Sequence, residues 1–194
     1  IPTAIIMGKL LKGIDIREHG SKNAGGTNAL RILGVKAGIT TMLIDIFKGF
    51  AATFWISKLG GGEASLMMLI SGIAAILGHT YTIFAGFKGG KGVGTAAGML
   101  IAMFPLAVPI CLLVFFLALI FTGYVSLGSM LAAITLPVVL SLFKFFCTIE
   151  VANALYYFSL VIPIFIIYTH RSNVQRLIKG TENRFEKAML FRKR

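Results

Sequence analysis

Acidic residues are scarce in this 194-residue sequence, where 7 Asp and Glu stand against 19 Lys and Arg, a formal net charge of +12 at pH 7. Charged residues of either sign make up only 13% of the chain and hydrophobic residues 57%, a composition that excludes an ordinary soluble domain. We therefore predict an integral membrane protein whose polar surface meets anionic partners such as phosphate esters, lipid headgroups or nucleic acid.

Cysteine is nearly absent as well. Cys111 and Cys147 lie in apolar runs, without a CxxC pair and without a histidine at metal-ligand spacing. This pattern excludes zinc sites and a disulfide scaffold, so each cysteine is predicted to be a packed thiol. We expect neither a metal nor a cofactor.

Long apolar runs predict an all-α, polytopic membrane protein that forms a single domain over residues 1–194. An apolar stub at residues 1–11 has about half the roughly 20 residues of a spanning helix, and we expect it to be the end of a first helix truncated at Ile1. Four further runs satisfy or approach the spanning length, at residues 39–59, 64–85, 125–143 and 151–169.

A fifth apolar run, residues 93–121, is too long for one helix and carries Pro105 and Pro109 near its middle. Lys and Arg concentrate in residues 9–36, 87–92 and 171–194, which the positive-inside rule places in the cytoplasm. Two spans follow residue 125, so the fifth run must return to the side that it left, as a helical hairpin. The prediction is about seven transmembrane or partly inserted helices, with the N-terminus outside and the C-terminus cytoplasmic. The alternative is one kinked span, which would put the tail on the opposite side.

The first polar segment, residues 20–31, reads GSKNAGGTNALR. Small hydroxyl and amide side chains between glycines let backbone N–H groups approach an anion, and Arg31 carries the forked guanidinium that suits a phosphate. The alternative interpretation is a solvated turn that caps a helix at Thr27 or Asn28.

The second polar segment, residues 86–95, reads GFKGGKGVGT and opens directly into a predicted helix. Closely spaced glycines and two lysines at the positive end of a helix dipole indicate a phosphate cradle. The spacing does not match a Walker A loop, and the alternative is a flexible basic turn at the level of the headgroups. His79, shortly before the segment, is a candidate active-site donor or a core histidine.

The third polar segment, residues 170–176, reads HRSNVQR and leaves the last predicted span. On a helix, His170, Asn173 and Arg176 share a face and are predicted to point at one ligand. A lipid-facing basic tail is the alternative, which we prefer for residues 184–194. Within the second span, Asp45 and Lys48 are predicted to form an internal pair near its cytoplasmic end.

Nucleophile motifs are missing from all three segments. The sequence contains no GxSxG, no Cys/His pair at nucleophile-base spacing and no carboxylate cluster in a basic segment. A covalent acyl-enzyme is therefore not expected.

The three segments, in this order and each after a helix, resemble the signature motifs of the PlsY family, bacterial membrane acyltransferases that use acyl-phosphate and glycerol 3-phosphate. The resemblance is carried by residues 20–31, by GHTYTIFAGFKGGKGVGTAAG at residues 78–98 and by HRSNVQRLIKGTENRF at residues 170–185, and it runs nearly end to end. The departures from the family pattern are mild: Lys22, Gly26, Gly94 and Thr181.

The resemblance implies acyl transfer from acyl-phosphate to the 1-hydroxyl of sn-glycerol 3-phosphate, a step of phospholipid biosynthesis that gives lysophosphatidic acid and inorganic phosphate. It implies a multi-pass protein of the bacterial inner membrane, with its active site on the cytoplasmic face. The expected partners are the two substrates, the lipid bilayer and a soluble acyl-phosphate synthase, and no nucleic acid. The competing interpretation is a transporter or channel for an anionic, phosphate-bearing solute.

For the acyltransferase we predict two sets of residues. The catalytic set orients the acceptor and stabilises the developing charge, and it comprises Ser21, Asn23, Lys91, His170 and Asn173, with His79 as a further candidate. The set predicted to bind substrate phosphate comprises Thr27, Asn28, Arg31, Lys88, Gly89, Gly90, Gly92, Thr95 and Arg176.

Overall fold

The computed structural model describes residues 1–147 and 149–190, except for the side chain of Lys187. Within these residues the chain forms nine α-helices and no β-strand, which confirms the all-α prediction. The chain divides into an N-terminal unit, Ile1–Met103, and a C-terminal unit, Phe104–Arg194.

The N-terminal unit contains five helices and three single turns of 3-10 helix. α3 and α4, together with the 3-10 turns that follow them, correspond to the predicted spans at residues 39–59 and 64–85. The elements are α1 (Thr3–Lys12), α2 (Gly26–Leu33), α3 (Val35–Phe54), α4 (Ala64–Thr80) and α5 (Val93–Met103), with the 3-10 turns Ile16–Glu18, Ile56–Leu59 and Ile83–Ala85.

Small residues bring α3 and α5 into close contact. A side chain at Gly49 of α3 would overlap the backbone of Thr95 in α5, and one at Gly98 of α5 would overlap the backbone of Ile46 in α3. Helices that lack a side chain at such positions pack backbone to backbone, as in small-xxx-small pairs within membranes. The contact sets the first turn of α5 beside Asp45 of α3.

The long apolar run at residues 93–121 is broken near its middle, as predicted. α5 ends at Met103, and α6 (Ala107–Thr122) begins shortly after Pro105. Pro109 lies inside the first turn of α6 and does not break it, because a backbone N–H in the first turn has no partner within the helix. The division into two helices is thus confirmed, and the hairpin topology remains a prediction.

The C-terminal unit contains α6, α7 (Val125–Phe146), α8 (Asn153–Thr169) and α9 (Arg171–Ile178). The end of α7 lies beside the start of α8, where Lys144 Nζ donates to Asn153 Oδ1 at 2.8 Å. α9 is bent by 64° from α8.

The tail after α9 packs on the turn between α6 and α7. The N–H of Phe185 donates to the carbonyl oxygen of Gly123 at 2.7 Å, and Arg184 Nε donates to the Tyr124 hydroxyl at 2.9 Å. The prediction of a lipid-facing tail over residues 184–194 is therefore corrected, because the tail is held against protein as far as residue 190. The rest of that prediction, residues 191–194, falls outside the described residues.

Among the described residues, three helical segments are long and apolar enough to cross a membrane, namely Val35–Leu59, Ala64–Ala85 and Val125–Phe146. α8 passes the same test only together with α9, while α5 and α6 are shorter apolar helices. Each of the seven predicted helices has a counterpart among α1 and α3–α8, and their orientation in the membrane remains a prediction. Cys111 is buried as predicted, whereas Cys147, at the end of α7, is exposed and not packed.

Candidate functional site

The first polar segment is organised by Asn28, which is only 1% exposed. Its Oδ1 accepts from the N–H of Ser21 at 2.9 Å, and its Nδ2 donates to the carbonyl oxygens of Ile16 at 2.9 Å and Asn23 at 3.0 Å. A third carbonyl, that of His19, lies 3.0 Å from the same Nδ2. Because both ends of this amide already bind backbone, Asn28 shapes the loop, and a role in binding phosphate stays a prediction.

Other predicted residues of this segment lie on the loop or on the first turns of α2. Ser21, Asn23, Thr27 and Arg31 are all half-buried. Lys22 has a φ of +58°, a backbone conformation that favours glycine. The segment is a turn followed by the start of α2, whose N-cap is Gly25 and not the predicted Thr27 or Asn28, while anion binding by the segment stays a prediction.

The second polar segment, called the glycine loop below (residues 86–92), packs its backbone on the end of α4. The N–H of Gly89 donates to the carbonyl oxygen of Thr80 at 3.0 Å, and that of Gly90 to the carbonyl oxygen of His79 at 3.3 Å. A Cβ at Gly90 would overlap the His79 ring, lying 2.7 Å from Cε1, and would stand 3.2 Å from the carbonyl oxygen of Ala24. Both amides thus donate within the protein, and their role in binding phosphate stays a prediction.

The cations and the helix start of the glycine loop remain suited to an anion. Lys88 is exposed, Lys91 is half-buried, and α5 begins at Val93, directly after Gly92, so the first N–H groups of α5 lie at the end of the loop. Thr95 is fully buried within the α3–α5 contact, and its role in binding phosphate stays a prediction.

Sequence reasoning missed Arg17, which ties the 3-10 turn just before the glycine loop to the segment before α2. Its Nη1 donates to the carbonyl oxygen of Ala85 at 2.7 Å, and its Nη2 pairs with Asp15 Oδ2 at 2.7 Å. The hydrogen bond from Arg17, helped by its charge, lowers the pKa of Asp15 from 3.8 to about 2. The two residues line an open cavity of about 670 Å³, together with Lys22, Phe84 and Lys88. The sequence carried no signal for this contact, because its partners are backbone carbonyls.

The predicted pair of Asp45 and Lys48 is confirmed, with Lys48 Nζ 2.7 Å from Asp45 Oδ1. His79 contacts this pair, because its Nδ1 lies 2.6 Å from Lys48 Nζ. His79 is buried, as both interpretations of it allow, and its ring lies beneath Gly90.

The third polar segment lies in the C-terminal unit, around the bend between α8 and α9. His170 precedes α9, and its Nδ1 donates to the carbonyl oxygen of Ile166 at 2.8 Å. In a neutral ring this bond leaves the lone pair on Nε2. Both His170 and Asn173 are buried.

Asn173 and Arg176 both bind Glu182, whereas His170 binds the carbonyl oxygen of Ile166, so a single ligand shared by all three residues stays a prediction. Asn173 Nδ2 donates to Glu182 Oε1 at 2.6 Å, and Arg176 Nε donates to Glu182 Oε2 at 2.6 Å. Ser126 of α7 donates to Glu182 Oε1 at 2.8 Å. Sequence reasoning missed Glu182, because it lies outside α9 and no helical spacing links it to this face.

Glu182 depends on its charge for these contacts. Burial raises its pKa, but hydrogen bonds from Asn173, Arg176 and Ser126 outweigh burial and hold the pKa below its ordinary value of 4.5. A carboxylate whose pKa is lowered by folding stabilises the fold above its unfolded pKa and loses that contribution as the pH falls through the folded pKa.

We therefore expect Glu182→Gln to lower the free energy of unfolding by about 2 kcal/mol at neutral pH, because the buried partners lose a charged acceptor. The difference from the parent protein should shrink as the pH falls below 4.5. Thermal unfolding in detergent across a pH series measures both effects. Glu186→Gln, an exposed acid on the same tail, is the control. A difference that stays constant with pH would contradict the assignment.

The comparisons with known proteins agree over almost the whole chain. A family model described as Glycerol-3-phosphate acyltransferase matches residues 1–180. A relative from Chlorobaculum tepidum with the same description is 49% identical over 210 residues, covering 95% of this chain and 90% of the relative. One from Chlorobium phaeobacteroides (strain DSM 266 / SMG 266 / 2430) is 43% identical over 217 residues, covering 96% and 91%.

Two solved structures have the same architecture. Both are crystal structures of PlsY (YgiH), described as an integral membrane glycerol 3-phosphate acyltransferase. The glycerol 3-phosphate form has a TM-score of 0.82 and 35% identity, covering 95% of this chain and 90% of that one. The lysophosphatidic acid form has a TM-score of 0.78 and 35% identity, covering 94% and 89%.

Proposed function

The chain belongs to the glycerol-3-phosphate acyltransferase family, and we propose that it transfers a fatty acyl group from acyl-phosphate to the 1-hydroxyl of sn-glycerol 3-phosphate. The products are lysophosphatidic acid and inorganic phosphate. The solved structures of PlsY, in glycerol 3-phosphate and lysophosphatidic acid forms, support the acceptor and the product. The transporter interpretation is set aside, because the family consists of acyltransferases.

The observation that carries the proposal is the junction of the glycine loop with α5. Exposed Lys88 and half-buried Lys91 directly precede α5, a helix whose first N–H groups can donate to an anion. A site that moves an acyl group between two phosphate-bearing molecules must neutralise phosphate, and it must do so more strongly as the leaving group gains charge. Lysines together with a helix start supply that stabilisation without a metal.

The roles of individual residues follow their positions. We assign Lys88, Lys91 and Gly92 to binding the phosphate of the donor. On the neighbouring polar segment, Thr27 and Arg31 of α2 are assigned to binding substrate phosphate. Arg176 keeps a role in binding phosphate through Nη2, which is buried and makes no hydrogen bond within the described part of the chain.

Four side chains are assigned to orienting the acceptor: Ser21, Asn23, His170 and Asn173. Nε2 of His170 suits this role, because it accepts a hydrogen bond when Nδ1 donates to Ile166.

The chemical step needs no covalent acyl-enzyme. The 1-hydroxyl oxygen attacks the acyl carbon, and the bond from that carbon to the phosphate oxygen breaks. The hydroxyl proton passes to a phosphoryl oxygen of the donor, which then leaves as inorganic phosphate. The protein contributes alignment of the two substrates and electrostatic stabilisation of the leaving phosphate.

We also propose a location and an orientation for the protein in the membrane. The chain is a membrane protein, and we place it in the bacterial inner membrane with the two basic loops and the C-terminal tail on the cytoplasmic face. An acyl-phosphate is amphiphilic, so a soluble acyl-phosphate synthase that delivers it at this face is the expected protein partner.

The test is product formation by the purified protein in detergent. With synthetic acyl-phosphate and glycerol 3-phosphate we expect lysophosphatidic acid, detected by mass spectrometry, together with inorganic phosphate. An acceptor that lacks the 1-hydroxyl is the matched control and should give no acylated product. Absence of lysophosphatidic acid, or acylation from acyl-CoA alone, would overturn the proposed donor.

A further inference from the structure

A polar cluster lies inside the helical part of the N-terminal unit, directly behind the glycine loop. It consists of Asp45 and Lys48 of α3 and His79 of α4, and is called the α3–α4 cluster below. Asp45 and His79 are 4% and 8% exposed, so the groups are nearly sealed from solvent. Charged residues at such positions are costly in a membrane protein and point to a function.

Lys48 has an acceptor for each of its three ammonium protons. Its Nζ donates to Asp45 Oδ1 at 2.7 Å, to His79 Nδ1 at 2.6 Å and to the carbonyl oxygen of Ile1 at 3.1 Å. Thr3 Oγ1 also donates to Asp45 Oδ1, at 3.1 Å. The carboxylate balances the ammonium charge, and the geometry fixes the Lys48 side chain.

This arrangement decides which nitrogen of His79 carries the proton. An ammonium group only donates, so Nδ1 must act as the acceptor. The ring of His79 is then neutral and carries its proton on Nε2. The ring lies beneath Gly90, where a Cβ would stand 2.7 Å from Cε1.

His79 also holds the glycine loop through its backbone. Its carbonyl oxygen accepts from the N–H of Gly90 at 3.3 Å, and the next carbonyl, that of Thr80, accepts from the N–H of Gly89 at 3.0 Å. The loop therefore rests on the ring and on the end of α4 together, so a change in the ring moves the loop.

We propose that Lys48 is a positioning residue, which holds His79 as the Nε2–H tautomer beneath Gly90 and thereby fixes the glycine loop that presents Lys88 and Lys91 to phosphate. The kinetic part of this inference rests on the proposed function, because it takes the loop as the phosphate site. Lys48 itself touches no substrate in this account and acts only through His79 and Asp45.

The test combines a spectroscopic readout with kinetics on the full-length protein. In detergent, nitrogen-15 NMR of selectively labelled histidines should show His79 with a protonated Nε2 and an unprotonated Nδ1, assigned by comparison with His79→Gln. Lys48→Met should abolish this pattern and lower kcat/KM by about 10- to 100-fold, because a displaced loop misplaces its cations. Lys58→Met, at the C-terminal end of the same span and in contact with Phe54, should change neither.

Lys48→Gln keeps an N–H donor without the charge, and should retain the Nε2–H pattern and part of the activity. If Lys48→Met does not fold, the spectrum and kinetics of Lys48→Gln provide the test instead. A parent spectrum with a protonated Nδ1, or a Lys48→Met protein with unchanged spectrum and kcat/KM, would overturn the inference. If the parent makes no lysophosphatidic acid, the proposed function fails, while the spectra still test the link between Lys48 and His79.

Discussion

Replacing Gly90 by leucine is expected to lower kcat/KM by at least about 100-fold, the scale of effect expected when reacting groups are misplaced by an ångström. Any Cβ at this position would run into the His79 ring and would crowd the carbonyl oxygen of Ala24. The ring has no room to yield, because Lys48 holds its Nδ1 at 2.6 Å. The loop would have to move instead, taking Lys88 and Lys91 with it.

The control for this substitution is Gly78→Ala, near the end of α4, the helix that carries His79. A Cβ there meets nothing within 4 Å, so the change should leave kcat/KM unaltered and stabilise the helix slightly. Gly90→Ala should fall between the parent and Gly90→Leu. Steady-state kinetics with thermal unfolding of each variant provide the measurement. Activity of Gly90→Leu within threefold of the parent would mean that the loop does not need its contact with His79.

Asn28→Leu is expected to have the second large effect, again by about 100-fold or more in kcat/KM, because Asn28 shapes the loop before α2. The leucine has a similar size but removes the acceptor for Ser21 and the donors for Ile16 and Asn23. Each buried backbone group left unpaired costs about 1–3 kcal/mol, so the loop should lose its shape.

Asn28→Asp tests the oxygen and the nitrogen of this amide separately. It keeps an acceptor for the Ser21 N–H but loses the Nδ2 donors, so its activity should lie closer to that of Asn28→Leu than to that of the parent. Thr40→Val, at an exposed position of α3, is the control and should be silent. Parent-like kinetics in Asn28→Leu would show that this hydrogen-bond network does not maintain the site.

The fold could be read from the sequence because its signals are local. Apolar length marked the helices, Pro105 marked the break between α5 and α6, and the spacing of Asp45 and Lys48 marked their ion pair. The ends of the helices were less predictable. Packing contacts decide where a helix gives way to a 3-10 turn such as Ile56–Leu59, and the sequence does not show those contacts.

The candidate site could be read only in part, because composition does not say which groups a loop uses on itself. Asn28 and the amide of Gly90 had the right chemistry for phosphate, yet the fold uses both to shape the loops. Arg17 and Glu182 could not be found in advance, since each binds partners far along the chain or outside any helical period.

The central claim is direct transfer between two substrates at a site built from cations and helix starts. The measurement that tests it most directly is the release of inorganic phosphate from acyl-phosphate by rapid quench, with the protein in slight excess and glycerol 3-phosphate either present or omitted. We predict one phosphate for each lysophosphatidic acid when the acceptor is present, and no release above the buffer rate when it is omitted. Release of phosphate without acceptor in an amount that matches the acyl-phosphate supplied, with the acyl group retained on the protein, would contradict it.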